Sequence, residues 1–219
     1  MAPSSNCEQN TNENNVDNQS VGVPDIEKMG GRMLINKLAG EGVVKVVKQC
    51  EKAKETLILD LSQCNLAKFP DAVFYLMRDT TLTACDLSSN VLRRIPPQLA
   101  FKFSLITDLN LSKNEIYKLP DELEEMKELV RLDVSHNYLL NLPSVLFRIP
   151  KLRQLRANHN AIIDIESNQV IASKSLEFVD LRSNPFTPQC YKLLKNAQVS
   201  FHIELSTRRI KEDWEDLTI

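Results

Sequence analysis

Ile106-Thr-Asp-Leu-Asn-Leu-Ser-Lys-Asn114-Glu-Ile116 is one copy of a phrase that this chain carries six times. All six copies fit L-x-x-L-x-L-x-x-N/C-x-L, except that Thr56 stands in place of the opening leucine of the first. The Asn or Cys position falls at residues 64, 90, 114, 137, 160 and 184, in steps of 26, 24, 23, 23 and 24. Self-similarity at such a period is typical of stacked repeats, which predicts a solenoid.

The positions of the phrase have separate physical roles. Leu109 and Leu111 are two residues apart, so in a strand both face one side, here the interior, while Asn110 faces the concave surface. Asn114 follows where the chain must turn, and its amide can bond backbone groups that the turn leaves unpaired. Stacked repeats would line these amides up as an asparagine ladder, and Cys64 is a small, buried-type substitute at its first position. We predict short parallel strands near residues 57–61, 83–87, 107–111, 130–134, 153–157 and 177–181.

Proline follows the first four phrases, at Phe69-Pro70, Ile95-Pro96, Leu119-Pro120 and Leu142-Pro143. Proline has no N–H to donate, so it ends the extended stretch and opens the convex side. The residues that follow carry core contacts of their own, and the apolar residues of 119–129 have helical spacing. The predicted fold class is therefore an α/β solenoid, a horseshoe of about six repeats with a parallel concave sheet.

The chain divides into five predicted parts. Residues 1–25 are polar and contain no aromatic residue, so we expect a disordered extension. Residues 26–55 are predicted to be helical in two pieces, broken near Gly40 and Gly42, and to form an N-terminal cap. The repeats occupy 56–186, a C-terminal cap 187–205 and a polar tail 206–219. Caps are expected because an open solenoid exposes its core at each end.

Both predicted caps have local signals. An apolar stripe runs along the second helical piece, with Lys and Glu on its other face, and it consists of Val43, Val46, Val47, Cys50 and Ala53. The alternative to a cap is a partner-binding amphipathic helix. At the other end, Thr187 and Pro188 predict an N-cap and a first helical residue. Residues 199–203 alternate like one last strand.

The stretch from Glu41 to Thr56, a valine-striped helix, runs directly into a first repeat with Cys64 in the ladder position. This arrangement resembles the opening of the leucine-rich repeat-containing protein 20 family of animals. The resemblance covers roughly residues 41–205, while 1–40 and 206–219 depart from it. It implies a horseshoe fold, no known enzymatic activity and no well-established partner.

Composition narrows the class of function. The net charge of −2 favours neither nucleic acid nor an anionic membrane as partner. No uncharged apolar run approaches the roughly 18–20 residues that span a bilayer, and the N-terminus lacks the basic and apolar stretches of a signal peptide. The five cysteines are an odd number without a flanking cluster, so we predict free thiols and a cytoplasmic location.

Signatures of enzymes are missing from the repeats. All five glycines lie at or before Gly42, which leaves no Gly-rich phosphate loop or nucleophile elbow in the repeats. His136 and His159 occupy equivalent positions and should be neighbours, but the other ligands of a tetrahedral metal site are not evident. We therefore expect no catalytic residue, no metal and no cofactor.

The register assigns three columns of side chains to the concave face. The middle column is Asp60, Asp86, Asn110, Asp133, Arg156 and Asp180; two residues before it lie Ile58, Ala84, Asp108, Arg131, Gln154 and Phe178; two after it lie Ser62, Ser88, Ser112, Ser135, Asn158 and Arg182. The acidic column is either a contact or simply solvated, as surface charges usually are. Arginines and an exposed Phe178 favour the second half as an interface. The predicted partner-binding residues are Asp108, Arg131, Asp133, Arg156, Phe178, Asp180 and Arg182.

The sequence leads to two hypotheses of function. The first is a monomeric, non-catalytic adaptor or scaffold that binds a protein partner on its concave face. The second is a regulatory subunit of an intracellular signalling enzyme such as a phosphatase or small GTPase. A further short motif, Leu217-Thr218-Ile219, fits the chain ends that PDZ domains bind by strand addition, although chance matches to so short a motif are common.

Overall fold

The computed structural model describes residues 41–165 and 173–207. Its centre is a parallel sheet of seven strands that lie side by side in chain order. The strands are Ile58–Asp60 (β1), Ala84–Asp86 (β2), Asp108–Asn110 (β3), Arg131–Asp133 (β4), Gln154–Arg156 (β6), Phe178–Asp180 (β8) and His202–Glu204 (β9). Six of them lie in the six phrases, which confirms the predicted leucine-rich repeat solenoid. The last begins at His202, so it overlaps the predicted final strand, 199–203, only at residues 202 and 203.

The strand register pairs equivalent positions of successive repeats. Leu109 lies opposite Cys85 on one side and Leu132 on the other. The two inward positions of each phrase are buried throughout, and Leu109 and Leu111 are at most 2% exposed. Burying one such leucine contributes about 1.5–3 kcal/mol, so a single continuous core running through the repeats holds the solenoid together.

The predicted asparagine ladder is present, and it joins repeats rather than closing each turn alone. Asn137 Nδ2 donates to Val134 and Ser135 of its own repeat at 3.1 Å and to the Leu111 carbonyl of the preceding repeat at 2.9 Å. Its Oδ1 accepts the Ile116 N–H at 2.9 Å. Asn90, Asn114, Asn160 and Asn184 repeat this pattern. Each amide therefore satisfies buried backbone groups of two repeats.

Cys64 holds the first place of the ladder, and its Sγ donates to the Ser62 carbonyl at 3.3 Å. In the described part of the chain, the helix Glu41–Thr56 and not another repeat precedes the first phrase, so the described residues offer no turn of an earlier repeat for an amide here to bond. The backbone N–H of Cys64 is satisfied from the other direction, by Asn90 Oδ1 at 3.0 Å. A thiol is sufficient at this position for that reason.

The convex crossovers change from α-helix to 3₁₀ helix along the solenoid. Asp71–Leu76 (α2) and Gln98–Lys102 (α3) are α-helices, whereas Asp121–Glu125 and Ser144–Arg148 are 3₁₀ helices. Residues 119–129, whose apolar residues have helical spacing, therefore contain one short 3₁₀ helix and no α-helix. The α-helical repeats have steps of 26 and 24 residues and the 3₁₀ repeats steps of 23. A 3₁₀ helix rises about 2.0 Å per residue, so fewer residues cover the same crossover.

A second, smaller sheet follows the turns on the way to the convex side. Asn141–Leu142 (β5) pairs in parallel with Asp164–Ile165 (β7). Leu142 and Ile165 are buried in the common core. The second sheet therefore extends the regular stacking of neighbouring repeats beyond the concave strands.

The helix before the first repeat spans Glu41–Thr56 (α1). Its Val46, Cys50 and Ala53 are buried in the same core as Leu59. Lys45 Nζ also donates to the Gln63 carbonyl at 2.9 Å. Two details differ from the predicted stripe, because Val43 is 48% exposed and Val47 half-buried. The helix reaches the first repeat only from its second turn onward.

Gly42 lies inside α1, so the chain does not break at that residue. The rest of the predicted helical region, 26–40, and the predicted disordered extension, 1–25, lie outside the described residues. The cap role of α1 and the proposed domain boundaries stay predictions.

The predicted helix start after the last repeat is confirmed. Pro188–Lys195 (α4) begins with Pro188 at its first position, and Thr187 Oγ1 accepts the Cys190 N–H at 3.1 Å. Strand β9 then pairs in parallel with β8. Residues 208–219, which include most of the predicted tail, lie outside the described residues. That these two elements act as a C-terminal cap stays a prediction.

Candidate binding surface

The register places the three predicted columns side by side on the concave face. Asp108 lies between Ala84 and Arg131, and Gln154 between Arg131 and Phe178. In the middle column Asp133 lies opposite Asn110 and Arg156. All seven predicted partner-binding residues therefore belong to one sheet face or its rim, although they do not have the same exposure.

The acidic middle column has a structural role of its own. Asp60, Asp86 and Asp133 each accept, through Oδ1, the backbone N–H of the serine two residues on, at 2.8–3.0 Å. Asn110 makes the same bond to Ser112 at 3.1 Å. One oxygen of each side chain is thus used to hold the turn after the strand. The other oxygen of Asp86 accepts from Asn110 Nδ2 at 3.1 Å.

The arginines of the second half form ion pairs with neighbouring strands. Arg131 pairs with Asp108, and Arg156 Nη1 lies 3.9 Å from Asp133 Oδ2. Both arginine side chains remain more than half exposed. Arg153, the residue before strand β6, pairs with Glu177. The predicted cationic cluster is therefore a row of cation–carboxylate pairs whose positive groups face solvent.

Asp180 differs from the other candidate residues because it is only 4% exposed. Its two carboxylate oxygens accept Nε and Nη2 of Arg182 at 3.0 and 2.7 Å. Burial by itself raises the pKa of Asp180, but the hydrogen bonds and charge of Arg182, together with the charge of Arg156, hold that pKa below its usual value. The Asp180 carboxylate is thus largely hidden from solvent, and it holds the guanidinium of Arg182, which also lies 3.1 Å from Glu204.

Phe178 was expected to be exposed, and it is half-buried. Its ring stacks on His202 of strand β9, with ring centroids 6.0 Å apart and planes inclined by 20°. The reason is the additional strand, which places a ring beside Phe178 at the same register position. The aromatic contact that a partner could use is thus a Phe178–His202 pair.

A groove of about 330 Å³ runs along the concave face. Four candidate residues line it: Asp108, Arg131, Asp133 and Arg156. Phe178, Asp180 and Arg182 lie beyond it, toward β9. The groove also includes Ile58 and Ala84, and Ile58 is 49% exposed. Ile58 and Ala84 were not among the predicted partner-binding residues. An apolar side chain at an outward-facing position of the repeat phrase is the feature of the sequence that could have identified them.

His136 and His159 are neighbours, as predicted. Their rings stack with centroids 4.3 Å apart, and both residues have positive φ angles. Within residues 41–165 and 173–207, no group of three or more His, Cys, Asp and Glu side chains is arranged to hold a metal ion. The same part of the chain contains no helix long and apolar enough to cross a bilayer.

The four described cysteines, Cys50, Cys64, Cys85 and Cys190, are free and buried. Burial raises the pKa of the Cys50 and Cys190 thiols to about 11 and that of Cys85 further. A thiol is reactive as its thiolate, so Cys50, Cys85 and Cys190 stay protonated core residues at neutral pH.

Comparisons with known proteins agree with this geometry. A model of the family described as leucine rich repeat matches residues 80–139. Leucine-rich repeat-containing protein 20 of Mus musculus is 40% identical over 152 residues, which cover 68% of this chain and 83% of the mouse protein. The protein of that name from Homo sapiens is 27% identical over 97 residues, or 42% of this chain and 53% of its own length, so that match spans about half of the human protein.

Among solved structures, a leucine-rich repeat protein of Leptospira interrogans superimposes with a TM-score of 0.56 at 26% identity. The match covers 64% of this chain and 34% of the bacterial chain. The leucine-rich repeat fold is commonly a protein-interaction module, and proteins of this fold are generally non-catalytic.

Proposed function

The chain belongs to the family of leucine-rich repeat-containing protein 20, and from that premise we propose that it is a non-catalytic adaptor or scaffold that binds a protein partner on its concave face. The observation that carries the proposal is the groove of about 330 Å³, in which side chains from five neighbouring strands line one surface. A continuous concave surface of this kind is what solenoid proteins use to bind partners.

Four groove residues supply the proposed polar contacts: Asp108, Arg131, Asp133 and Arg156. Their ion pairs do not prevent binding, since exposed pairs contribute only about 0–1 kcal/mol each. A carboxylate of the partner can therefore replace Asp108 or Asp133 at little cost and bond a guanidinium in a bidentate manner. In the free chain the heads of Arg131 and Arg156 lie beside Asp108 and Asp133.

The apolar part of the proposed contact has two places. Ile58 and Ala84 form one at the start of the groove, and the Phe178–His202 pair forms the other near its far end. Arg182, held by Asp180 and Glu204, lies beside the second. Aromatic residues and arginine are enriched among the residues that dominate binding energies, so the second place is the proposed anchor.

A pull-down with quantitative mass spectrometry tests the proposal. Arg156→Glu with Phe178→Ala should release the partners that the wild-type chain retains, because it reverses one groove charge and removes the anchor. Arg148→Glu with Phe101→Ala is the matched control, since it changes the same residue types on exposed convex positions. Partner lists that stay identical with the concave variant would place the binding site elsewhere.

The identity of the retained partner separates the adaptor from the alternative, a regulatory subunit of a signalling enzyme. Phosphatase activity or guanine-nucleotide binding that elutes with the wild-type chain, and is lost with the concave variant, favours the regulatory subunit. Retention of proteins without such activity favours the adaptor.

Two narrower expectations also stay proposals. A cytoplasmic location is supported by four buried free thiols, which suit a reducing compartment, and fluorescence imaging of the tagged chain tests it. PDZ binding by Leu217-Thr218-Ile219 concerns residues outside the described ranges. A peptide of residues 210–219, compared with one lacking Ile219 on a PDZ panel, tests it; equal binding by both peptides removes the idea.

A further inference from the structure

The seventh strand differs from the six before it in the burial of its inward positions. Ile203 lies opposite Val179 in the register, and Leu205 is equivalent to Leu181. In all six earlier strands the residues at these two positions are at most 2% exposed. Ile203 and Leu205 are only half-buried. The core of the solenoid thus continues into the seventh strand, but its two inward side chains there are more exposed than those of the six earlier strands.

We name the apolar surface around these residues the end surface; it consists of Tyr191, Val199, Ile203 and Leu205, which are half-buried against the core. A groove of about 370 Å³ includes all four. A second groove of about 280 Å³ shares Tyr191 and Leu205 with it. Two depressions with shared apolar residues give the end surface room for bulky apolar side chains of another segment.

The described chain leaves the fold beside the end surface. Tyr191 Oη donates to the Ser206 carbonyl at 3.1 Å, and the Ser183 N–H donates to Ser206 Oγ at 2.7 Å. Ser206 and Thr207 line the second groove. The residues that follow Thr207 therefore start within a few ångströms of the apolar surface, and nine residues can extend about 30 Å.

The sequence that follows has the chemistry of a covering segment. It reads Arg208-Arg-Ile-Lys-Glu-Asp-Trp-Glu-Asp216, in which Ile210 and Trp214 are four residues apart, a spacing that puts both on one face of a helix. Residues 212–216 carry four carboxylates and no basic group. The exposed Lys192 and Lys195 lie on helix α4, and Lys195 lines the larger groove. The basic residues of the segment come earlier, at 208, 209 and 211, four to seven residues after Glu204.

We propose that residues 208–216 dock on the end surface of the same chain, with Ile210 and Trp214 in its grooves and the acidic residues near Lys192 and Lys195. The occupant is this segment because it is tethered at the grooves, so its local concentration exceeds that of any free partner. Its apolar residues match the uncovered core, and its charge is opposite to that of the neighbouring helix.

Trp214 is the only tryptophan of the chain, so its fluorescence reports the docking directly. The test compares the emission maximum and the acrylamide quenching constant of the full chain with those of a peptide of residues 206–219. We expect a blue-shifted emission and a several-fold smaller quenching constant in the full chain, both independent of protein concentration. Peptide-like values overturn the proposal. Burial that increases with protein concentration also overturns it, because the occupant would then be a second copy.

Variants locate the docking site. Val199→Asp with Leu205→Asp should return the emission of Trp214 to the peptide value, while circular dichroism shows that the repeats remain folded. Val91→Asp with Leu140→Asp is the control, since it places the same charges on exposed apolar positions elsewhere. Tryptophan burial that survives the first pair would mean that the segment packs somewhere else, which contradicts the proposal.

The electrostatic part has a milder test that does not disturb the core. Lys192→Glu with Lys195→Glu should raise the quenching constant, and added salt should raise it in the wild-type chain. Lys68→Glu with Lys102→Glu makes the same change of net charge on exposed residues of other repeats and should leave quenching unaltered. An equal effect of both pairs would indicate a response to net charge alone and would refute the contact with α4.

Discussion

The first repeat and the last strand use the same inward positions but are closed differently. At the first repeat, Leu59 and Leu61 are completely buried, and Val46, Cys50 and Ala53 of helix α1 belong to the same buried core. At the last strand, the equivalent Ile203 and Leu205 are half-buried. A position in the repeat phrase therefore predicts which way a side chain faces, and what lies outside the phrase decides whether it is covered.

The largest expected effect concerns the first repeat. Val46→Asp should lower the free energy of unfolding by about 3–5 kcal/mol, because it leaves an uncompensated charge buried in the core. Urea denaturation measures it. Val43→Asp is the matched control on the same helix and should cost far less, since Val43 is 48% exposed. Equal losses from the two variants would show that α1 does not cover the first repeat.

The second prediction compares the first ladder position with an inner one. Asn137→Ala should cost about 2–4 kcal/mol, because buried backbone groups of two repeats lose their partner. Cys64→Ala should cost about 1 kcal/mol, since Cys64 makes one weak hydrogen bond. Denaturation midpoints of the two variants give the difference. If Cys64→Ala proves as damaging as Asn137→Ala, the bridging role of the amide is not what distinguishes the two positions.

The third prediction concerns the helix after the last repeat. Thr187→Ala should destabilise the chain by about 1 kcal/mol, since it removes the side-chain acceptor of the Cys190 N–H. Thr187→Ser keeps that acceptor and should retain most of the stability. Thermal unfolding followed by circular dichroism compares them. A serine variant as unstable as the alanine variant would attribute the loss to the methyl group instead of the cap.

The smallest effect at neutral pH comes from the two end thiols, Cys50 on α1 and Cys190 on α4. Both have a pKa of about 11 in the folded chain, above their ordinary value of 9.0. The folded state keeps protons that the unfolded state releases, so their contribution is complete below pH 9.0 and is lost as the pH rises toward about 11. Between pH 9.0 and about 11, the free energy of unfolding should fall less steeply with pH in Cys50→Ala and in Cys190→Ala than in the wild-type chain. Urea unfolding curves measured at several pH values in this window give the slope. Slopes identical to wild type would contradict the burial of these thiols.

On the concave face, the repeat pattern predicted the columns of side chains but not the ion pairs between them. The three columns follow from the alternation of side chains along a strand, and the register confirms them at every pair. The pairing of Arg131 with Asp108 and of Arg156 with Asp133 joins residues 23 apart in sequence. Column membership did not reveal these pairs, because they depend on side-chain conformations across neighbouring strands.

The sequence by itself determined the parallel sheet, its register, the inward leucines, the asparagine ladder and the start of α4, because each depends on spacing within a few residues or on one repeated period. Only the tertiary structure decided the 3₁₀ crossovers, the burial of Asp180, the stacking of Phe178 on His202 and the half-open last strand. These features depend on which groups of the next repeat lie alongside, and on how much chain remains to connect the strands. A pattern within one repeat specifies neither the neighbouring groups of the next repeat nor the length of chain that connects the strands.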